Sequence, residues 1–353
     1  MAAAARTDSP ILQIKDLRTF FDTRDGTVRA VNGVSLEVHA GETLCIVGES
    51  GCGKSVTAMS ILGLLPKPPA RIESGEILFQ GTDLLKLDEQ EMRAIRGNDI
   101  SMIFQEPMTS LNPVLTIGRQ ISEVISLHQG VSDRVARDRA IEMLDRVRVP
   151  DAHQRVTEYP HQLSGGMRQR AMIAMALSCN PSLLIADEPT SNLDMTIQAD
   201  VLARLKRIQT EQNSSVVLIT HNLGVIAQMA DQLVVLYGGS VLESGDTETL
   251  FKRPLHPYTW GLLQSIIRLD EPDRPLKPLG GSPLDPFNMP DQCPYLLRCP
   301  KASNECRLNV KPPLVEVGLG HKVACYNPIE HEIVSPASMF TDWLSEQNYP
   351  PDY

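Results

Sequence analysis

A glycine-rich loop near the N-terminus constrains this chain more than any other feature. The apolar run Leu44–Val47 predicts a buried strand, and the residues after the loop have a helical period. Between them lies Gly48-x-x-x-x-Gly53-Lys54-Ser55, a spacing typical of loops whose backbone N–H groups surround phosphate oxygens. Lys54 can span the β- and γ-phosphates while the Ser55 hydroxyl binds Mg²⁺. The sequence therefore predicts a nucleoside triphosphate site formed by Gly48, Glu49, Ser50, Gly51, Cys52, Gly53, Lys54 and Ser55.

Composition limits the class of protein. The chain has 353 residues, 42% of them apolar, which suffices for one large or two moderate domains. Its net charge of −10 argues against nucleic acid as a partner, because nucleic acid requires a basic surface. No apolar run is long enough to span a bilayer, and residues 1–10 lack a secretory core, so we expect a disordered leader there. Seven cysteines without a signal peptide indicate a reducing compartment and a soluble cytoplasmic protein.

Predicted strands and helices alternate along most of the chain. Apolar runs predict strands within 11–47 and at 75–81, 99–105, 183–187, 216–220 and 233–237. Helical patterns lie between them, and this alternation predicts an α/β fold with a largely parallel sheet covered on both faces. Beyond about residue 255 the proline density rises and four of the seven cysteines cluster, so we place a domain boundary there.

Two acidic residues end one of the predicted strands. Asp187 and Glu188 follow the apolar run Leu183–Ala186. Because the C-terminal end of a parallel strand lies beside the ligand crevice, Asp187 can hold the Mg²⁺ shell. Glu188 can orient and polarise an attacking water. The phosphate loop upstream makes this interpretation much stronger than it would be for an isolated acidic pair.

A second glycine motif directly precedes a predicted helix. Ser164, Gly165 and Gly166 form an anion-binding helix N-terminus within the run Leu163–Gln169. One triphosphate needs only one such site in a chain, so the second predicts phosphates held between two subunits. The run resembles the LSGGQ signature of ATP-binding-cassette (ABC) ATPases, with Met167 in place of the glutamine, a form similar to that of the peptide-importer branch.

The resemblance to ABC ATPases extends over nearly the whole chain. It implies that Gln105 senses the γ-phosphate and joins Ser55 and Asp187 at Mg²⁺, and that His221 is the switch histidine. It places Asp194 in the loop that follows the acidic pair, although Asn192 stands where alanine is usual. Phe21 aligns with the aromatic residue that stacks on adenine, and the adjacent Phe20 remains an alternative.

Two stretches narrow the resemblance to the oligopeptide and dipeptide importer ATPases. They are Gln105–Pro113 and Arg253–Thr259, and the second is a family marker to which we assign no chemistry. The family implies an ABC-type P-loop ATPase domain at 11–255, with a RecA-like core and a helical subdomain at about 106–165. It also implies a small Cys-rich extension at 256–330.

Four cysteines of the predicted extension are spaced as Cys293-x5-Cys299-x6-Cys306-x18-Cys325. The spacing predicts a four-thiolate site and leaves the metal open, because it matches neither a zinc knuckle nor a ferredoxin. The resemblance to peptide importers implies a [4Fe–4S] cluster, with zinc as the alternative. After these cysteines, a Ser-Pro start and an apolar face predict a docking helix within 331–353.

The resemblance also implies a function. It describes an ATPase subunit that couples ATP binding and hydrolysis to the import of di- or oligopeptides, peripheral to the cytoplasmic face of the bacterial inner membrane. The implied partners are a second, paralogous ABC ATPase, two integral-membrane permeases and an extracytoplasmic substrate-binding protein. Nickel and oligosaccharides are alternative cargoes. A soluble ABC ATPase of DNA repair or translation is disfavoured, because those carry two cassettes or a long coiled coil.

Overall fold

A computed structural model describes residues 9–106, 110–190, 195–265, 279–282, 284–287, 289, 291–318 and 320–330. The docking helix predicted within 331–353 lies outside these ranges. So do Asp194 and residues 1–8 of the predicted leader. Within the described ranges, no helix combines the length and the apolar character needed to cross a bilayer.

The described strands form two sheets. In chain order they are β1 (Leu12–Thr23), β2 (Gly26–Val38), β3 (Thr43–Val47), β4 (Ala70–Phe79), β5 (Thr82–Asp83), β6 (Ile100–Ile103), β7 (Leu183–Asp187), β8 (Ser215–Ile219), β9 (Gln232–Tyr237), β10 (Ser240–Asp246), β11 (Val315–Gly318) and β12 (His321–Val323). The larger sheet has the order β11-β12-β10-β9-β3-β8-β7-β6, and the smaller one has the order β2-β1-β4-β5.

Helices connect and cover these strands. They occupy Lys54–Ile61, Glu89–Ile95, Ile117–Gln129, Asp133–Arg146, Ala152–Arg155, Gly165–Leu177, Met195–Gln212, Leu223–Met229, Thr247–Lys252, Pro257–Gln264 and Asn304–Leu308. Short 3-10 helices lie at Leu84–Lys86, Pro160–Gln162 and Leu296–Arg298.

The centre of the larger sheet is parallel. Strands β9, β3, β8, β7 and β6 pair in parallel, with Leu44 opposite Val217 and Ala186 opposite Leu218. Every residue of β3, β7 and β8 is buried, as expected for strands covered on both faces. The predicted α/β fold with a largely parallel sheet is therefore confirmed for this part of the chain.

The smaller sheet is antiparallel and lies against the helix that follows the phosphate loop. Strand β1 pairs with β2 on one side and with β4 on the other. The buried Thr19 hydroxyl lies 3.1 Å from that of Ser60 on the helix Lys54–Ile61. This contact holds β1 against the C-terminal end of that helix.

A helical layer connects β6 to β7. On Ile117–Gln129, the residues Ile117, Ile121 and Ile125 are almost fully buried, and their spacing of four places them on one helical face. Gly118 approaches the backbone of Val156 so closely that a Cβ would collide with its carbonyl oxygen. The Gly118 N–H donates to that oxygen at 2.8 Å, which ties the first turn of the helix to a neighbouring loop.

The described residues after 255 join the larger sheet directly. Strand β12 pairs with β10, placing Val323 opposite Glu243. The buried Glu243 carboxylate accepts hydrogen bonds from the backbone N–H groups of Leu255 and His256 and lies 2.7 Å from His321 Nε2. Because a buried carboxylate needs several partners, Glu243 holds this part of the chain against the sheet.

Candidate nucleotide site

The glycines of the phosphate loop are required by close backbone approach. A Cβ on Gly48 would collide with the carbonyl oxygen of Leu236 at the end of β9. Gly53 has a φ of 101°, and its Cβ would collide with the carbonyl oxygen of Ala30 on β2. Gly53 is also the N-cap of the helix Lys54–Ile61 and has no side chain to cap it. The first N–H groups of this helix are therefore available to an anion.

Lys54 is buried and turns back over the loop. Its Nζ donates to the carbonyl oxygens of Gly48 at 2.8 Å and Glu49 at 2.9 Å. A polyphosphate can replace these carbonyl contacts, because phosphate oxygens are stronger acceptors for an ammonium. Lys54 Nζ therefore lies against the phosphate loop itself, and its contact with the phosphates stays a prediction.

Asp187 ends β7 beside the hydroxyl of Ser55. Burial raises the pKa of Asp187, and the hydrogen bond from Ser55 lowers it by less. Among the described residues, none donates a hydrogen bond to its buried Oδ1. A buried carboxylate oxygen without a partner costs free energy, and a hard cation would satisfy it. Ser55 and Asp187 therefore fit the Mg²⁺ that the sequence predicts.

Gln105, Glu188 and His221 meet at the same edge of the sheet. Gln105 Nε2 donates to Glu188 Oε2 at 3.0 Å, and His221 Nδ1 lies 3.0 Å from Glu188 Oε1. The three residues follow β6, β7 and β8, which are neighbours in the sheet. Glu188 has a φ of 46°, and its N–H donates to the carbonyl of Ile219, so its backbone is fixed as well. The carboxylate is thus held by a neighbour on each side.

The second glycine motif begins a helix, as expected. Ser164 is the N-cap of Gly165–Leu177, and its hydroxyl accepts from the Met167 N–H at 3.4 Å. Ser164 and Gly165 are exposed. Within the described part of the chain, no hydrogen bond joins Ser164–Gly166 to the phosphate loop. This helix N-terminus is therefore accessible to another molecule.

Gln169, on the same helix, has a contact that sequence reasoning did not assign. Its side chain is buried, and Nε2 donates to the carbonyl oxygen of Pro189. Pro189 directly follows Glu188, so this contact links the glycine-motif helix to the acidic strand end. The sequence shows only a glutamine four positions after the first residue of the helix, and its burial becomes visible only in the structure.

The two candidate aromatic residues differ in their surroundings. The guanidinium of Arg71 lies 5.4 Å from the centroid of the Phe20 ring. Phe21 is half-buried on β1, opposite Val28 of β2 and Ala70 of β4. Phe20 therefore already has a stacking partner, which leaves Phe21 as the better candidate for a base.

Two residues from beyond position 255 reach Glu49 in the phosphate loop. The Tyr258 hydroxyl accepts from the Glu49 N–H at 2.9 Å. Arg298 donates to both Glu49 carboxylate oxygens, at 2.7 and 3.0 Å. Sequence reasoning assigned no chemistry to Arg253–Thr259 and did not identify Arg298, because no spacing rule connects residues so far apart.

The four predicted ligand cysteines line one cavity, together with His256, Lys301 and Tyr326. Burial raises the pKa of Cys293 to about 12 and that of Cys325 to about 11, and the neighbouring thiols add to both shifts. Yet the described residues include no group of three or more His, Cys, Asp or Glu side chains arranged to hold a metal ion. The geometry by itself therefore does not show the predicted [4Fe–4S] cluster or its zinc alternative.

A phosphate loop after β3, an acidic residue at the end of β7 and three polar side chains on one sheet edge define a P-loop nucleoside triphosphatase. The ABC transporter family matches residues 31–191, and the oligopeptide/dipeptide transporter C-terminal region matches residues 242–306. The chain belongs to the ABC transporter ATPases, in the branch that has this C-terminal region. It is an ATP hydrolase, and ATP with Mg²⁺ is the ligand pair of its class.

Known relatives are similar in sequence to this chain over nearly their whole length. The dipeptide transport ATP-binding protein DppD of Bacillus subtilis is 49% identical over 328 residues, which are 92% of this chain and 98% of DppD. The oligopeptide transport ATP-binding protein OppD of Salmonella typhimurium is 46% identical over 320 residues, which are 91% of this chain and 94% of OppD. The family resemblance inferred from the motifs is therefore confirmed, and membership implies membrane permease partners.

Solved structures confirm the cassette fold. The dimeric post-hydrolysis ATP-binding cassette MJ0796, bound to ADP and phosphate, has a TM-score of 0.61 at 28% identity and covers 67% of this chain and 98% of its own. CbiO1 of Clostridium perfringens, part of an ABC transporter complex, has a TM-score of 0.58 at 25% identity and covers 69% of this chain and 91% of its own.

Proposed function

We propose that this chain is the ATPase subunit that couples ATP binding and hydrolysis to the import of di- or oligopeptides. The cargo is supported by the names of the relatives DppD and OppD and by the transporter C-terminal region at 242–306. The observation on which the chemistry rests is the placement of Glu188 between Gln105 and His221 at the sheet edge that bears the phosphate loop.

Glu188 orients and polarises the attacking water. His221 fixes one carboxylate oxygen, and the Gln105 amide N–H fixes the other. Ser55, Asp187 and Gln105 would hold Mg²⁺, which would neutralise charge on the phosphates. Lys54 and the loop N–H groups hold the β- and γ-phosphates. Positioning and electrostatic stabilisation supply most of the rate enhancement in phosphoryl transfer.

A second subunit completes the site. The exposed N-terminus at Ser164–Gly166 suits the γ-phosphate of ATP bound to a facing ATPase, and the solved cassette MJ0796 is dimeric. We propose that Asp194 belongs to the same interface between the two subunits and that Phe21 stacks on the adenine. The facing subunit is a paralogous ATPase. In this proposal residues 11–255 form the nucleotide-binding domain, about 106–165 its helical subdomain, and 256–330 a Cys-rich extension.

The complex contains two integral-membrane permeases and receives cargo from an extracytoplasmic substrate-binding protein. The chain is then a peripheral subunit at the cytoplasmic face of the inner membrane, and nucleic acid is not a partner. Its proposed ATPase dimer contacts the permeases through the helical layer that connects β6 to β7.

Transport by the purified complex tests this function. The chain is expected to co-purify with integral-membrane subunits. Proteoliposomes that contain this complex should transport labelled di- or oligopeptides only when ATP is present on the side of the membrane that the ATPase subunits face. A complex with Glu188→Gln should bind ATP and fail to transport, whereas Glu211→Gln, on an exposed helix face, should transport normally. Uptake of nickel or oligosaccharides instead of peptides would contradict the cargo, and co-purification with ribosomes or DNA would contradict the class.

We also propose that the four cysteines bind a [4Fe–4S] cluster. The support is chemical: four thiols line one cavity, and thiolates are the usual ligands of such clusters. Anaerobically purified protein should contain iron and acid-labile sulfide and show a visible absorbance shoulder that dithionite bleaches. Stoichiometric zinc without iron, or four alkylatable thiols without any metal, would exclude the cluster.

A further inference from the structure

The phosphate loop is held from outside by residues far along the chain. Arg298 forms a two-pronged ion pair with the Glu49 carboxylate, across 249 positions of sequence. Tyr258 accepts the Glu49 backbone N–H across 209 positions. Together with Lys54, which donates to the Glu49 carbonyl, these contacts occupy the N–H, the side chain and the C=O of one loop residue.

Arg298 is itself fixed on all sides. Its side chain is only 6% exposed, and Nε donates to the Gly280 carbonyl at 2.8 Å. Nη1 also donates to the Tyr237 hydroxyl at 3.0 Å, and the guanidinium lies 5.6 Å from the Tyr237 ring and 5.9 Å from the Tyr295 ring. A planar guanidinium with this many directional contacts has a single orientation, so the carboxylate that it binds is fixed too.

Glu49 needs such a partner because of where it lies. A carboxylate in a loop that binds polyphosphate repels the ligand unless a cation neutralises it. The ion pair with Arg298 supplies that cation and holds the carboxylate in one orientation. A loop that is already ordered before ATP arrives also loses less conformational entropy on binding.

We propose that Arg298 is a positioning residue for the phosphate loop, and that through it the segment after residue 255 sets the affinity for ATP. The proposal rests on ATP binding at Gly48–Ser55. The role of Arg298 predicts a change in ATP affinity, whereas the role of Glu188 predicts a change in turnover. An experiment can therefore contradict one role without contradicting the other.

The four-cysteine cavity lies next to this contact along the chain. Arg298 ends a short 3-10 helix whose first N–H, at Leu296, donates to the Cys293 carbonyl at 3.0 Å. The N–H of Cys299 donates back to the Leu296 carbonyl at 3.3 Å. Arg298 therefore lies within a turn closed at both ends by residues of the cavity, and a displacement of either cysteine moves the turn.

Nucleotide titration of Arg298 variants provides the test. We expect Arg298→Gln to weaken binding of a fluorescent ATP analogue, and to raise the KM for ATP, by about tenfold, because a charge-assisted pair is lost. The value of kcat should change by less than about twofold, and Arg298→Lys should recover part of the affinity, since it restores charge without the fork. The matched control is Arg307→Gln, an exposed arginine of the same segment, which should match wild type.

A double-mutant cycle separates the pair from general damage. If neutralisation of Glu49 is what matters, Arg298→Gln should change ATP affinity by less than about twofold in a Glu49→Gln background. An unchanged affinity in Arg298→Gln alone, or effects of the two variants that simply add, would overturn the proposal. If Arg298→Gln does not fold, the same cycle with Arg298→Lys still decides whether Arg298 acts on ATP affinity through Glu49.

A separate experiment tests whether the four-cysteine cavity affects the phosphate loop through Arg298. The double variant Cys293→Ser, Cys299→Ser should lower ATP affinity in the wild-type background and leave it unchanged in the Arg298→Gln background. An equal loss in both backgrounds would show that the cavity acts on the loop by another route, and that Arg298 does not transmit it.

Discussion

The two halves of the nucleotide site are built in different ways. At the sheet edge, Gln105, Glu188 and His221 follow three neighbouring parallel strands, and the strand order alone brings them together. At the phosphate loop, Arg298 and Tyr258 come from chain segments more than 200 positions away. The first half depends on local sequence and regular topology. The second depends on tertiary packing, so variants in the two halves should have different consequences.

The largest effect is expected at the sheet edge. Glu188→Gln removes the group that activates water while it keeps the side-chain shape, so turnover should fall by about a thousandfold with ATP affinity nearly unchanged. Steady-state ATPase assays and nucleotide titrations measure the two quantities separately. Turnover close to wild type would contradict the role of Glu188.

Steric variants test how tightly the loop is enclosed. Gly48→Ala introduces a Cβ that collides with the Leu236 carbonyl, and we expect it to abolish measurable ATP binding and to cost about 3 kcal/mol in the free energy of unfolding. Gly51 belongs to the same loop, and a Cβ there meets no atom within 4 Å. Gly51→Ala should therefore cost only about 1 kcal/mol, from its positive φ of 77°. Equal losses in urea unfolding would show that enclosure is not the cause.

A third variant addresses the link between the glycine-motif helix and the sheet edge. Gln169→Met keeps the volume and leaves the buried Pro189 carbonyl without its donor, so it should reduce the free energy of unfolding by about 2 kcal/mol. Turnover should fall more than ATP affinity, because Pro189 adjoins Glu188. Gln154→Met is the control, because Gln154 is exposed and its side chain donates to the Glu158 carboxylate. A normal denaturation midpoint for Gln169→Met would rule the link out.

The smallest effect concerns the choice between the two aromatic residues. Phe21→Ala should raise the KM for ATP by about tenfold, because a base stacked on an aromatic ring gains about 1–3 kcal/mol. Phe20→Ala should alter stability through its Arg71 contact and leave that KM within about twofold. The opposite pattern would indicate that Phe20, and not Phe21, stacks on the adenine.

Most of the fold and the sheet edge could be predicted because their signals are local. The β3 strand, the loop glycines and the helix after them occupy consecutive positions, and Asp187 and Glu188 end an uninterrupted apolar run. Parallel pairing then places such strand ends on one side of the sheet, whatever their distance in sequence. The prediction of the cysteine cluster shows the limit: spacing identifies four thiols that share a cavity, but not the positions of their sulfur atoms.

The amino-acid sequence by itself determined the phosphate loop, the largely parallel sheet and the acidic pair Asp187 and Glu188, because each of these signals lies in consecutive residues. The family resemblance added Gln105 and His221, and the strand order of the folded sheet brought them to Glu188. Tertiary structure alone decided that Glu49 is neutralised by Arg298, that Gln169 reaches Pro189, and that Phe20 already has a partner in Arg71. The physical reason is that a hydrogen bond or ion pair depends on distances of about 3 Å between atoms, which only packing of distant segments can set.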